Sequence, residues 1–309
     1  MIVITAPTGN IGRHLLPLLL DSAPARDEAL RVVVRDPDRL PDAARDRVEV
    51  ITGSHGDPEV VDRAFEGADA VFWLVPPDAS RTPEDAFRGF TRPAAKAVIA
   101  HGIGHVVGVS ALGRGTAVAR RAGLVTASHA MDDLIADTGV AYRALACPSF
   151  FDNLLEDADT IRETGVFTDA VDADLRSPRV AVADIAAVAA DLLLNRRWSG
   201  NDSVPVLGPE DLSPDDLARI MTEQLGRPVR YRRQSLDELY GDLLDHRLDE
   251  AFAQGVVDMK QAKNEGLDAG VTRTPATSSP TTFQQWCAQT LKPAVLPDRR
   301  HSQGTRHAR

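Results

Sequence analysis

Short, continuously apolar runs alternate with helix-length segments along the first half of the chain, and few architectures accept that pattern. The runs cover Ile2–Thr5, Leu30–Val34, residues 48–52, residues 70–75, residues 105–109 and residues 140–147. A strand with one wet face alternates apolar and polar residues, whereas a strand apolar throughout is buried on both faces. Residues 11–20, 58–65, 86–100 and 119–137 read as the intervening helices, with Pro17 expected to bend the first or end it early. Strands and helices in this alternation predict an α/β fold with a doubly wound parallel sheet.

The sharpest local feature sits between the first strand and the first helix: Thr5-Ala6-Pro7-Thr8-Gly9-Asn10-Ile11-Gly12-Arg13. A pyrophosphate held at a helix N-terminus needs backbone N–H groups at close range. Gly9 and Gly12 permit that approach and tight helix–strand packing. Ala6 stands where the pattern has its first glycine, and Pro7 removes one N–H donor. Six strands by residue 147 and this loop predict a Rossmann dinucleotide-binding domain over residues 1–150. Thr8, Gly9, Asn10, Ile11 and Gly12 are then the phosphate contacts.

The second strand ends in Val34-Arg35. An acidic side chain there accepts from a ribose 2′-hydroxyl, while an arginine meets a 2′-phosphate. Arg35, with Arg13 as a second charge, favours NADP(H) over NAD(H); Asp36 would reverse the preference if it faced the ribose instead.

Past Pro148 the regularity weakens. Helices are expected at residues 154–163, Val182–Leu194, residues 215–225 and 236–249, and strands at residues 204–207 and 229–232. Residues 268–282, rich in Thr, Ser, Pro and Gly, read as an ordered loop or linker. Residues 283–291 read as a last helix capped by Thr281 or Thr282. Residues 151–292 are expected to form mainly a smaller α/β lobe, with about 178–208 returning to the first domain. Residues 293–309 read as a disordered tail.

A net charge of −10 argues against a general nucleic-acid surface. Arg230, Arg232 and Arg233 read as a solvated strand end. Two distant cysteines, Cys147 and Cys287, give neither a disulfide framework nor a metal cluster. The scattered histidines suggest no metal site, and no Gly-x-Ser-x-Gly elbow is present. No window approaches the ~20 apolar residues of a membrane helix, and residues 1–6 make a poor signal peptide. The default expectation is a reduced, cytoplasmic setting.

Taken together, TAPTGNIGRHLL (5–16), VVVRDPDRL (32–40), GADAVFWLVPP (67–77), AAKAVIAHGIGHVVGVSALG (94–113), SHAMDDLIADTGVAYRALACPSFFDNL (128–154) and TTFQQW (281–286) resemble the NmrA-like branch of atypical short-chain dehydrogenases/reductases. The resemblance covers most of residues 1–292. It implies a Rossmann core, a smaller C-terminal substrate lobe and a ligand in the cleft between them. By position it implies Ser54 and His55 near adenine, Val75 and Pro76 near a ribose, and Ser110 and Ala111 facing the nicotinamide. Pro148 to Phe151 would cover that ring, and Asn153 matches the asparagine of the family's FxxN segment. Trp73, Phe150 and Phe151 sit where an apolar substrate pocket is expected.

The wider superfamily works with Tyr-x-x-x-Lys on the helix before strand six. Here that stretch reads Ser128-His129-Ala130-Met131-Asp132-Asp133, and no lysine occurs between Lys96 and Lys260. The lysine that some NmrA-like reductases use on this helix is also missing, with Ser128 near its place. His129 is the remaining candidate acid, with Asp132 or Asp133 on the same helical face to orient it. The expectation is an NADP(H)-dependent oxidoreductase reducing a small organic acceptor such as a quinone, enone, imine or carbonyl. The alternatives are a non-catalytic NADP(H)-binding redox sensor, which NmrA-like proteins can be, and a non-redox enzyme on the same fold. A homodimer or a protein partner stays open.

Overall fold

The computed structural model describes residues 1–22 and 27–296. Its strands are β1 (Ile2–Thr5), β2 (Leu30–Val34), β3 (Glu49–Thr52), β4 (Ala70–Trp73), β5 (His105–Ala111), β6 (Ala141–Cys147), β7 (Ser149–Phe150), β8 (Val166–Asp169), β9 (Ser177–Val180), β10 (Asn201–Pro205), β11 (Asp211–Leu212) and β12 (Arg230–Arg233). The helices are α1 (Gly12–Ser22), α2 (Asp42–Arg45), α3 (Pro58–Phe65), α4 (Phe90–His101), α5 (Leu124–Ala136), α6 (Ala158–Thr164), α7 (Val182–Leu194), α8 (Pro214–Leu225), α9 (Leu236–Asp245), α10 (Glu250–Asn264), α11 (Phe283–Trp286) and α12 (Lys292–Val295).

Seven parallel strands form the central sheet in the order β10-β6-β5-β4-β1-β2-β3. Alternating residues of each strand feed two cores. Ile2 and Ile4 point with Phe72 and Leu145 toward α1 and α7. Val3 points with Val71 and Val106 toward the face that α3, α4 and α5 cover. Arg31, the one charge in β2, turns its guanidinium to the carbonyls of Ala64 (2.8 Å) and Glu66 (2.7 Å), closing the C-terminal end of α3.

Residues 182–205 supply α7 and the edge strand β10 to this sheet. The rest of the second half builds its own core. There Phe151, Phe167, Leu217, Phe283 and Trp286 pack together beside two small sheets, β11-β9-β7 and β12-β8.

Several local expectations change. Helix α1 does not end early but continues past Pro17 to Ser22. Leu15, Leu16, Leu19 and Leu20 are all buried. Together they contribute more, at ~1.5–3 kcal/mol each, than the ~3 kcal/mol a mid-helix proline costs. The helix expected over residues 86–100 begins instead as a π turn at Asp85–Gly89, because Pro93 has no N–H to donate to Gly89. The helix expected over residues 119–137 is interrupted at Gly123, where a Cβ would lie 1.9 Å from the Gly255 carbonyl oxygen of α10. Residues 293–295, expected to be disordered, belong to α12, and Val295 is buried in the second core. Leu296 follows as an exposed bend, and the rest of that expected tail, from residue 297, lies outside the described residues. Strands β8 and β9 and helix α10 had no counterpart in the sequence reading.

Candidate functional site

Neighbouring strands β1 and β4 sit at the point where the strand order reverses, so the loops leaving them diverge and open a crevice. The buried Thr5 hydroxyl ties the two strand ends, donating to the Phe72 carbonyl (2.9 Å) and accepting from the Leu74 N–H (3.1 Å). The cleft there encloses about 1410 Å³. That exceeds the ~300–1,000 Å³ of a site for one small ligand and leaves room for two.

Thr8, Gly9, Asn10 and Ile11 line the cleft floor. Ala6 adopts φ 49°, the left-handed turn that glycine takes freely and alanine takes at a cost of ~1–2 kcal/mol. The substitution therefore keeps the loop's shape. Gly9 N–H turns back to the Ala6 carbonyl (3.1 Å). The N–H groups of Asn10 and Ile11, next along, have no protein acceptor among the described residues. Gly12 is buried behind the loop, where a Cβ would stand 2.1 Å from the Ala6 carbonyl oxygen. These features fit a pyrophosphate over the first turn of α1.

Arg35 and Arg39 both line the cleft beyond β2. Asp36 is engaged locally, where its carboxylate caps the short Pro37–Arg39 turn by accepting from Asp38 N–H (3.1 Å). Arg13, read from the sequence as a second charge for this pocket, reaches instead toward Asp152 (3.6 Å) and does not line the cleft. Arg39 is the second cation. Its spacing of four residues from Arg35 was the available signal.

Ser54, His55, Val75 and Pro76 line the next stretch. His55 is 7% exposed, lies edge-on to Trp73 and Phe90, and donates from Nε2 to the Leu74 carbonyl (2.8 Å). Burial pushes its pKa down to about 4, and the charge of Arg35 adds to the effect. The fold thus disfavours protonated His55. Its stabilising contribution is complete above pH 6.5 and is lost as pH falls toward 4, amounting to ~3 kcal/mol at most. Urea midpoints near neutrality and near pH 4.5 should differ less in His55→Phe than in the parent chain. An equal difference would contradict this.

At the far end the cleft is lined by Ser110, Ala111, Leu124, Ser128, Phe150, Asn153 and Met259. Neither a lysine nor a tyrosine lines it, so the Tyr-x-x-x-Lys pair is absent from the cleft. Cys147 is buried with its thiol pushed up in pKa, which rules it out as a nucleophile at neutral pH.

Five further expectations are corrected here. His129 is 7% exposed, holds the Ala111 carbonyl through Nε2 (3.0 Å) and does not line the cleft. Asp132 and Asp133 do not orient it: Asp132 bonds Ser110 and Tyr142, and Asp133 bonds Arg114. Trp73 lies in the sheet core with its indole N–H on the Thr91 hydroxyl (3.2 Å). Phe151 packs on Phe283 and Trp286 in the second core, and Pro148 is buried away from the lining. Both aromatic residues were expected in the substrate pocket, but Trp73 points into the sheet core from the end of β4, and Phe151 packs into the second core from the short helical turn after β7.

Among the described residues no group of three or more His, Cys, Asp or Glu could hold a metal ion, and no helix is long and apolar enough to cross a membrane.

A family model described as NAD(P)H-binding matches residues 7–196. A (4-alkanoyl-5-oxo-2,5-dihydrofuran-3-yl)methyl phosphate reductase of Streptomyces griseus is 29% identical over 292 residues, covering 94% of this chain and 97% of that one. Quinone oxidoreductase 2 of Escherichia coli is 25% identical over 285 residues, 91% and 95% of the two chains. The crystal structure of the Citrobacter sp. triphenylmethane reductase complexed with NADP(H) shares the fold, with a TM-score of 0.77 at 20% identity over 96% of this chain and all of that one.

Proposed function

The chain belongs to the NAD(P)H-binding family, and from that premise we propose that it is an NADPH-dependent reductase of a small, electron-poor organic acceptor. The NmrA-like resemblance read from the sequence agrees with the family assignment. The observation that carries the proposal is the pairing of the Gly12-backed loop with Arg35 and Arg39 across one cleft. The loop's N–H groups bind the pyrophosphate. The two guanidinium groups bind the 2′-phosphate, and Asp36, engaged as a cap, does not oppose them.

A bound reduced nicotinamide supplies a hydride there. Ser110 and Ala111 flank that end of the cleft, while Phe150, Asn153 and Met259 hold the acceptor against it. With no Tyr–Lys pair to polarise a plain carbonyl, the acceptor has to be electron-poor already. The names of the relatives and the structural neighbour support this: a conjugated lactone, a quinone and a triphenylmethane.

The test is oxidation of NADPH by the purified chain with 1,4-naphthoquinone, a triarylmethane cation dye and an alkylidene lactone. Turnover of at least one is expected. Inertness toward all three would contradict the proposal.

A further inference from the structure

Behind the cleft floor stands a carboxyl group that cofactor binding does not use. Asp132 of α5 is 4% exposed. One of its oxygens accepts from the Ser110 hydroxyl of β5 (2.5 Å) and the other from the Tyr142 hydroxyl of β6 (2.7 Å). Ser110 lines the cleft, so this chain of three groups begins where the acceptor sits.

The strands are shaped for the contact. Val106, Gly108 and Ser110 share one face of β5, and Val106 is paired with Tyr142. A Cβ at Gly108 would lie 2.3 Å from the Tyr142 hydroxyl oxygen. The missing side chain is the slot through which the tyrosine reaches Asp132. A buried carboxyl held by two hydroxyls is a costly way to fill a core, and apolar residues of similar size would serve packing better.

We propose that Ser110, Asp132 and Tyr142 form a proton relay that completes reduction of the acceptor from the cleft floor. The inference rests on the reductase reading. Once hydride has added to a quinone-type acceptor, the electron pair rests on an acceptor oxygen. With Asp132 protonated, its carboxyl donates to the Ser110 oxygen and the Ser110 hydroxyl turns to the acceptor, so that the acceptor oxygen takes the Ser110 proton as the Ser110 oxygen takes that of Asp132. The Asp132 carboxylate left behind is held by the Tyr142 hydroxyl, and water restores its proton. Ser110 is the catalytic residue, while Asp132 and Tyr142 are positioning residues that act through it.

Burial raises the affinity of Asp132 for a proton, against the opposing hydrogen bonds of Ser110 and Tyr142 and the charges of His129 and Arg114. The groups facing it are Ser110 from β5, Tyr142 from β6, His129 from its own helix, and Arg114 (3.5 Å) from the loop after β5, which also pairs with Asp133. The relay needs Asp132 protonated, so quinone reduction should slow as pH rises through its titration. Tyr142→Phe removes a donor to the carboxylate and should move that alkaline limb to higher pH.

Two measurements decide the matter. The first is carbon-13 NMR titration of Asp132 in the protein without cofactor, assigned by Asp132→Asn. It should show proton loss above the usual carboxylate range and higher still in Tyr142→Phe. The second compares two probes. Reduction of 1,4-naphthoquinone consumes a proton, but reduction of a triarylmethane cation by hydride does not. Asp132→Asn should slow the quinone about 10²-fold more than the dye, whereas damage to the fold would slow both alike. An ordinary carboxyl titration, equal slowing of both probes or an unmoved alkaline limb in Tyr142→Phe would overturn the relay. Inertness toward both probes and the lactone contradicts the reductase reading instead, while the NMR titration shows separately whether Asp132 holds the proton the relay needs.

Discussion

Gly12→Ala is expected to weaken NADPH binding by at least 10²-fold. The new Cβ would meet the Ala6 carbonyl oxygen at 2.1 Å and the Cα and C of Pro7 at 2.8 Å. All three are backbone atoms, so no rotamer change relieves the contact. The loop must move away from α1, carrying with it the N–H groups of Asn10 and Ile11. Hydrogen bonds to a charged group contribute ~1.5–3 kcal/mol each, and misplacing two of them gives the stated loss at ~1.4 kcal/mol per tenfold. Gly241→Ala is the control, since a Cβ there meets nothing within 4 Å. Fluorescence titration of both variants makes the comparison. Parent-like affinity in Gly12→Ala would show that phosphate does not sit on this loop.

The second large effect is on cofactor choice. Replacing Arg35 and Arg39 together by serine should cost NADPH about 10–10²-fold in affinity and leave NADH within about threefold. Charge-assisted bonds from guanidinium to phosphate are strong and bidentate. Both arginines are exposed, so salt screens them and the lower half of that range is expected at physiological ionic strength. A parallel loss for both cofactors would place these arginines on something other than the 2′-phosphate.

The sheet was legible because its physics is local. Strands such as IVIT and LRVVV are dominated by apolar residues that do not alternate with polar ones, and burial on both faces is what such strands require. The loop was legible for a similar reason, since Gly9 and Gly12 have a backbone role that no side chain can take. Even Ala6, a departure from the pattern, keeps the left-handed turn.

What sequence could not supply was the direction in which side chains point once strands pair. Trp73 and Phe151 look like pocket residues in a linear reading, but strand register turns Trp73 into one core and the helical turn after β7 turns Phe151 into the other. Arg13 joined Arg35 in the argument from charge, whereas Arg39 did not enter it. Only the packing of α1 against the segment carrying Asp152 decides that Arg13 is engaged elsewhere. Tyr142 had no signal at all, because its contact with Asp132 crosses from strand to helix through the gap at Gly108. Short strands such as Val166–Asp169, half polar and paired at an edge, carry too little periodicity to stand out.

The central claim is that this cleft binds NADP(H) in preference to NAD(H). Calorimetric titration of the unmodified chain with NADPH and then NADH tests it most directly. The structure predicts one site per chain, with NADPH bound at least about tenfold more tightly, in line with one to two guanidinium–phosphate contacts. Tighter binding of NADH, or no binding of either, would contradict it.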